Sequence, residues 1–262
     1  MEDRPERNSP SGDSDSPVPG SGLAAAAGFS EKVVNHLPKY RHELKIGINS
    51  FDKALLSSRL SHVMRRDRFA GPDGSYVVRS LYFDDIDNHA LMDKFMGAIY
   101  REKFRIRTYD REASLIRLEL KVKNNGLGYK EAAPLSRAEC AAILAGDSAF
   151  LKHRPEMVCR RLYSKMSTGL FKPRTIVQYE REAYEWDPGR VRVTLDSNLV
   201  TGLSSVDFLN AALPLTGVTD EGLSILEIKY DEFLPAHIAD LLMLNSRQRA
   251  ALSKYAICRR FD

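Results

Sequence analysis

Basic side chains recur at every second position in several segments of the sequence. In residues 116–123, Arg117, Glu119, Lys121 and Lys123 alternate with four apolar residues. Because successive side chains of a β-strand point to opposite faces, this segment predicts a strand with one apolar and one charged face. Arginine and lysine on one face favour an anionic ligand. Phosphate is the natural small one, since its oxygens match the arginine fork.

Five other predicted strands carry charged residues in the same phase. The basic residues on this face are Arg41, Lys45, Lys103, Arg105, Arg107, Arg117, Lys121, Lys123, Arg181, Arg192 and Lys229. The acidic residues on it are Glu43, Glu119, Asp196 and Glu227. For any single strand the alternative is a solvated sheet face, which would normally mix in more neutral polar residues. A face dominated by cations repels itself unless an anion neutralises it.

The order of segments predicts an α+β fold. From Tyr40 onward, period-2 segments are separated by helical ones, which gives about eight strands. Short turns between several of them favour antiparallel pairing. Because a closed sheet has no exposed edge, we expect a closed antiparallel β-barrel tunnel with flanking helices over its apolar outer face. The charged face would then line a cationic interior suited to a phosphate chain.

Three helix boundaries follow from local signals. An amphipathic pattern predicts a helix over residues 50–66, capped near Ser50. Ser136 and Glu139 form a capping-box pair, and the helix that they begin should stop at Gly146. Residues 246–260 are expected to be mostly helical.

Composition places the chain among ordinary soluble proteins. Its 262 residues are 43% hydrophobic and 28% charged, and no apolar run approaches the roughly 20 residues that span a bilayer. Residues 1–28, rich in Ser, Pro, Gly and Asp, predict a disordered tail before a folded domain over residues 29–262. The domain carries 37 basic and 30 acidic residues, so its net charge is +7. Three scattered cysteines and a poor leader at residues 23–28 favour a reduced, cytoplasmic setting.

The four carboxylates on the charged face need a separate explanation. Glu43, Glu119, Asp196 and Glu227 are suitable oxygen ligands for Mg²⁺ or Mn²⁺, and such a metal could bridge phosphate oxygens. The alternative for each is an internal salt bridge to a neighbouring lysine or arginine. For Glu119 the metal-ligand and the salt-bridge interpretations carry equal weight.

Eight short motifs occur in an order that resembles a known family. They are "ELK" at 43–45, "SLYFDD" at 80–85, "FRIRTY" at 104–109, "LELK" at 118–121, "YER" at 179–181, "VRVTLD" at 191–196, "LEIKY" at 226–230 and "SKYA" at 253–256. Over roughly Lys39 to Arg260 the chain resembles the VTC domain, the catalytic domain of the vacuolar transporter chaperone polyphosphate polymerase. That domain belongs to the triphosphate tunnel metalloenzyme, or CYTH, superfamily. Within that family the chain resembles the stand-alone, bacterial-type VTC proteins.

The resemblance implies a closed tunnel, metal-dependent chemistry on triphosphate, and growth of polyphosphate from ATP. It implies catalytic roles for Arg105, Arg107, Lys121 and Lys254, the last near the opening of the tunnel. Glu227 resembles the principal metal carboxylate, and Glu43 is a second candidate. Further phosphate contacts by motif match or strand phase are Arg41, Lys45, Lys103, Arg117, Lys123, Lys130, Arg181, Arg192 and Lys229. The chain departs from the family after Lys130, where Glu131 and Ala132 replace further basic residues.

Three functions remain open at this point. The first is a polyphosphate polymerase that uses ATP and Mn²⁺ or Mg²⁺. The second is an inorganic or nucleoside triphosphatase with the same tunnel. The third is a non-catalytic polyphosphate-binding or nucleic-acid-binding protein. Few aromatic residues are expected on the charged faces, which argues against nucleic acid. The expected partners are therefore ATP and polyphosphate. The chain has no membrane segment of its own by this reading, and a separately encoded membrane partner stays open.

Overall fold

The computed structural model describes residues 40–110, 113–219, 222–244 and 252–260. The predicted tail at residues 1–28 lies outside these residues, and so does most of the first half of the helix predicted at 246–260.

A large antiparallel sheet dominates the described residues. Its strands are β1 (His42–Ile48), β2 (Arg65–Arg66), β3 (Ser75–Asp84), β4 (Tyr100–Thr108), β5 (Ile116–Asn124), β6 (Leu127–Leu135), β7 (Lys172–Trp186), β8 (Val191–Thr201), β9 (Thr216–Gly217) and β10 (Ser224–Tyr230). Eight of them form one ladder in the order β1-β10-β8-β7-β3-β4-β5-β6, while β2 pairs with β7 and β9 with β8. The helices are α1 (Ser50–Val63), α2 (His89–Phe95), α3 (Arg137–Leu144), α4 (Met157–Met166), α5 (Ala236–Leu241) and α6 (Lys254–Cys258). The predicted α+β class with a large antiparallel sheet is confirmed.

The expected closed barrel is not confirmed, because the ladder does not continue between its two edge strands. β1 and β6 meet at one isolated bridge in the described residues, where the Arg41 amide donates to the Gly128 carbonyl at 3.0 Å. Arg41 lies directly before β1, and no longer run of pairs joins β1 to β6 in the described residues. The sheet is strongly curled, and a β-bulge between Gln178 and Glu180 in β7 locally increases its twist.

The outer face of the sheet forms the core against the helices. On one side, Leu118 and Ile106 pack with Cys159 of α4, and on the other side Leu195 packs with Leu60 of α1. These side chains are almost completely buried, and each contributes about 1.5–3 kcal/mol through loss of apolar surface from water. The alternation therefore has the predicted orientation, with apolar residues outward and charged residues inward.

The helix boundaries follow local capping with one correction. Ser136 and Glu139 form the predicted capping box of α3, and Asn49, rather than Ser50, caps α1 by accepting from the Asp52 amide at 2.8 Å. The predicted extension of α1 to residue 66 is wrong. Its C-terminal residues leave the helix because Arg65–Arg66 pair with β7 as strand β2.

The apolar outer face makes a prediction about stability. Leu118→Ala should lower the free energy of unfolding by about 2–5 kcal/mol, because Leu118 is fully buried and the truncation leaves a cavity. The matched control is Leu127→Ala at the β5–β6 turn, where the side chain is exposed and the loss should stay within about 0.5 kcal/mol. Urea titration followed by circular dichroism measures both. Equal losses would contradict the placement of Leu118 in the core.

Candidate active site: a cationic cavity

The concave face of the sheet surrounds a cavity of about 960 Å³. Among the described residues, fifteen lysines and arginines line it against four aspartates and glutamates. The predicted basic residues that line it are Arg41, Lys45, Lys103, Arg105, Arg107, Arg117, Lys121, Lys130, Arg181, Arg192, Lys229 and Lys254. A cavity of this volume can accommodate a small ligand, and its excess positive charge favours an anionic one.

Glu119 of β5 lies behind the wall of the cavity and holds two cations in place. Its side chain is fully buried and accepts from Arg105 Nε at 2.8 Å and from Lys130 Nζ at 2.9 Å. Burial raises the pKa of Glu119, but Arg105, Arg107 and Lys130 outweigh this and keep the pKa well below its ordinary value. The carboxylate is therefore permanently charged. Both of its oxygens are occupied, so its arrangement matches the salt-bridge alternative rather than an available metal ligand.

Asp196 of β8, on another strand of the same sheet, also holds two cations in place. Its fully buried carboxylate accepts from Arg181 Nε at 2.6 Å and Nη2 at 2.8 Å, which is a bidentate pair. Lys254 Nζ of α6 lies 2.6 Å from the same carboxylate. The Lys254 side chain is only 8% exposed, so it is held against the sheet and is not a solvated helix lysine. Asp196 therefore fixes a cation from the sheet and one from a helix.

Glu43 and Glu227 are the two predicted metal carboxylates that face the cavity itself. Lys121 Nζ lies 2.7 Å from both oxygens of Glu43, and Lys229 Nζ contacts Glu227. Lys45 Nζ joins the pair, at 3.3 Å from Glu43 and 3.6 Å from Glu227. Burial raises the pKa of Glu43, but Lys121 and Lys45 outweigh it and bring the pKa to about 2.

Two cavity lysines have pKa values near neutrality. Burial, followed by repulsion from Lys45, lowers the pKa of Lys103 to about 7. Burial also lowers the pKa of Lys121 to about 7, because the attraction of Glu43 only partly offsets it. Lys45 differs, since Glu227 and Glu43 overcome the effect of burial and raise its pKa. The net positive charge of the cavity therefore decreases as the pH rises through about 7.

Tyrosines support the cation array, and the expectation of few aromatic residues on the charged faces is wrong. Tyr82 Oη accepts from Arg105 Nη1 at 3.0 Å, and Tyr179 Oη accepts from Arg107 Nη2 at 3.1 Å. Lys254 Nζ lies 4.8 Å from the centroid of the Tyr179 ring, within the range of a cation–π contact. Tyr82 and Tyr179 thus each provide one cavity arginine with a hydrogen-bond partner.

One predicted basic residue, Lys123, is not part of the cavity lining, although its Nζ lies 3.5 Å from Glu43. Two basic residues that do line the cavity are paired with aspartates. Arg41 Nε lies 2.8 Å from Asp231, and Arg192 pairs with Asp67.

The segment of residues 65–69 was missed as part of the site. Arg65, Arg66, Asp67, Arg68 and Phe69 all line the cavity. The run of basic residues was a signal that could have found them. The predicted helix over residues 50–66 ended in this run. Side chains point in different directions in a helix than in a strand followed by a turn, so the prediction did not place the run at the cavity.

The cavity fits a divalent metal only in part. Within the described residues, no group of three or more His, Cys, Asp or Glu side chains could hold a metal ion. Glu43 and Glu227 nevertheless offer two carboxylates beside a polyphosphate-sized cavity. Magnesium in phosphate-binding sites commonly takes one or two carboxylates and completes its shell with phosphate oxygens and water. A metal here would therefore depend on the ligand for most of its coordination.

An antiparallel sheet curled around a cationic cavity, with more lysine and arginine than carboxylate in its lining, favours an anionic ligand. The sequence model of the VTC domain matches residues 40–261, so the chain belongs to the VTC domain family. None of the curated proteins compared with the chain matches it.

Solved structures resemble this chain at low sequence identity, and the first of the two below shares its fold. One is a candidate adenylyl cyclase from Hippeastrum, described as having a dominant triphosphatase activity. It is 18% identical to this chain, with a TM-score of 0.53, and the match covers 84% of this chain and 95% of that chain. Another is a candidate adenylate cyclase from Bacillus halodurans, with 16% identity, 78% and 86% coverage, and a TM-score of 0.46.

Two further observations concern the predictions about a membrane segment and about the cysteines. No helix in the described part of the chain has the length and apolarity needed to cross a membrane. Cys140, Cys159 and Cys258 are all buried, and none of them forms a disulfide within the described residues.

The two lysines with lowered pKa make binding dependent on pH. The affinity for inorganic triphosphate should fall between pH 6 and 8, because Lys103 and Lys121 lose their charge as the pH rises through about 7. A Lys103→Arg/Lys121→Arg variant keeps both charges and should lose less affinity over the same range. Isothermal titration calorimetry at pH 6, 7 and 8 measures the difference, and the titration of the ligand itself cancels between the two proteins.

The stability of the ligand-free protein should change in the opposite direction. Because these lysines release their protons at a lower pH in the folded state than in the unfolded state, the unfolded chain binds more protons above pH 7. Their contribution to the free energy of unfolding therefore increases from pH 7 toward 10. Parallel pH profiles for the wild type and the double variant would contradict the assignment of these pKa values.

Proposed function

We propose that this protein is an ATP-dependent polyphosphate polymerase. The observation that supports it best is the pair Arg105 and Arg107, which line the cavity two residues apart on β4 and are held from behind by Glu119 and Tyr179. Membership of the VTC domain family supports the same assignment. Fixed guanidinium groups in an enclosed site stabilise charge that develops on a transferring phosphoryl group, because they need not reorganise during the reaction.

In the proposed reaction the phosphates of ATP bind along the cavity. A terminal oxygen of a polyphosphate chain attacks the γ-phosphorus, the bond from that phosphorus to the β–γ bridging oxygen breaks, and ADP leaves with the bonding electrons. The chain becomes one phosphate longer. No general base is required, because the attacking oxygen is already anionic. Arg105, Arg107 and Lys121 hold the transferred group, and Lys254 supplies a further cation from α6.

A divalent ion fits this proposal through Glu43 and Glu227. When bound, Mn²⁺ or Mg²⁺ would offset negative charge on the phosphate oxygens. Lys45 and Lys229, which balance these carboxylates in the ligand-free protein, would then be available to contact phosphate.

A triphosphatase is the second candidate. It is favoured by one observation, the fold shared with the Hippeastrum protein that is described as having a dominant triphosphatase activity. The same cavity would serve, with water as the acceptor and orthophosphate as the product. The two functions differ in the acceptor alone, so the product distinguishes them.

Incubation with ATP and Mn²⁺ tests the proposed function. We expect phosphate chains that run as a ladder on a polyacrylamide gel, with one ADP released for each phosphate added. A matched incubation with a purified exopolyphosphatase should remove the ladder. Orthophosphate without any ladder would reject the polymerase and support the triphosphatase.

Arg105 gives a test of the phosphate contact that both functions need. Arg105→Ala should raise the Kd for inorganic triphosphate by about 10- to 100-fold, because it removes charge-assisted hydrogen bonds worth about 1.5–3 kcal/mol. Arg160→Ala is the matched control, since it removes the same charge from the exposed face of α4. Calorimetric titration measures both. An equal effect in the control would mean that net charge, not the cavity, determines binding.

A further inference from the structure

Asp84, the last residue of β3, is a buried carboxylate that the proposed reaction does not use. Its side chain is completely enclosed, and it does not line the cavity. It belongs to the motif "SLYFDD" at residues 80–85. Because burial of a carboxylate is costly unless its oxygens are hydrogen-bonded, the partners of Asp84 indicate its role.

The oxygens of Asp84 accept hydrogen bonds from two helices. Oδ1 accepts from the Ala90 amide at 2.9 Å and Oδ2 from the Leu91 amide at 3.2 Å, both in the first turn of α2. Oδ2 also accepts from the Tyr255 hydroxyl of α6 at 2.6 Å. Asp84 therefore caps α2 and at the same time joins α6 to the end of β3.

Tyr255 is held at both its ring and its hydroxyl group. The ring stacks on Tyr82 of β3, with centroids 5.0 Å apart and planes 26° from parallel. The hydroxyl also accepts from Arg259 Nη1 at 2.8 Å, and Arg259 Nη2 donates to Asn88 Oδ1 at 3.0 Å. One hydrogen-bonded network thus connects α6 with β3 and with the residue directly before α2.

This network determines the position of Lys254, the cation that α6 brings to the cavity. Since α6 has only five residues, Lys254–Cys258, its own hydrogen bonds do not keep it formed, and tertiary contacts must hold it. Lys254 and Tyr255 are neighbours in the helix, where their side chains leave the axis about 100° apart. Fixing the Tyr255 side chain therefore also fixes the direction in which Lys254 extends.

We propose that Asp84 and the Tyr255 hydroxyl are positioning groups that hold Lys254 where it contacts a bound phosphate. Asp84 acts through Tyr255, and the link joins the motif "SLYFDD" to the motif "SKYA" at residues 253–256. A cation that is oriented before the ligand arrives loses little conformational freedom on binding. This proposal rests on the proposed function, because the position of Lys254 matters only if the cavity binds phosphate groups.

A purely structural role is the alternative, in which Asp84 only stabilises α2 and the end of the sheet. Loss of such a contact would lower stability, and any general disturbance of the cavity would weaken binding whether or not Lys254 is present. Loss of a positioning contact would weaken binding only while Lys254 is present. A double-mutant cycle therefore separates the two roles.

The test is calorimetric titration of the full chain with inorganic triphosphate. Tyr255→Phe keeps the ring and removes the hydroxyl that bonds to Asp84. It should raise the Kd about fivefold when Lys254 is intact, and by less than about twofold in a Lys254→Met background, because the two residues act as a unit. Lys254→Met alone should raise the Kd about tenfold or more, since it removes a charged contact to phosphate.

Two further variants complete the experiment. Tyr184→Phe is the matched control, because it removes another buried, hydrogen-bonded hydroxyl from a residue outside the cavity lining, and it should leave the Kd unchanged. Asp84→Asn keeps the size of the side chain but replaces one acceptor oxygen with a donor. It should raise the Kd in the same way as Tyr255→Phe, with the same dependence on Lys254.

Two results would overturn the proposal. One is an unchanged Kd in Tyr255→Phe, and the other is an equal increase in Kd with and without Lys254. Tyr255→Phe decides the matter even if Asp84→Asn does not fold, because it removes a single oxygen and keeps the stacked ring. Failure of the proposed function looks different, because the wild type would then not bind inorganic triphosphate.

Discussion

Mutual repulsion among enclosed cations is the constraint on which the rest of this structure depends. In the described part of the chain, fifteen lysine and arginine side chains face one cavity, and four carboxylates face it with them. Removing such charges from water is costly unless each has a partner. Buried carboxylates at the wall, notably Glu119 and Asp196, reduce this cost, because each pairs with one arginine and one lysine. An excess of positive charge remains, and it faces the empty space where a ligand would bind.

The carboxylates therefore act chiefly on the geometry of the cations. Glu119 fixes the plane of the Arg105 guanidinium, and Asp196 does the same for Arg181 through a bidentate pair. A cation that is already oriented contributes more to binding and to charge stabilisation, because it loses little conformational freedom when the ligand arrives. Glu43 and Glu227 differ in that they face the cavity and share Lys45. They are the carboxylates that a ligand or an ion could engage by displacing that lysine.

The alternation of charged and apolar residues within each strand predicted most of the site, since strand phase alone determines which face of the sheet a residue occupies. It placed Arg105, Arg107 and Lys121 on one face, and the structure puts all three in the cavity wall. It could not separate Glu119 from Glu43, because both share that face and only packing shows that Glu119 is fully enclosed. Arg65–Arg66 were assigned to a helix because their pairing partner on β7 is more than a hundred residues away. That the sheet does not close into the expected barrel was beyond prediction for the same reason, since the contact between its two edges is non-local and amounts, in the described residues, to the bridge of Arg41 and Gly128.

Thermal unfolding with and without inorganic triphosphate tests the central claim, that the cavity is an array of cations incomplete without a polyanion. At a ligand concentration about 100 times the Kd, binding adds about 2.7 kcal/mol to the free energy of unfolding, so Tm should rise by about 5–10 °C. Sodium chloride at matched ionic strength should give a much smaller rise, because a monovalent anion cannot contact several fixed cations at once. An equal rise in chloride, or no rise with triphosphate, would contradict the account.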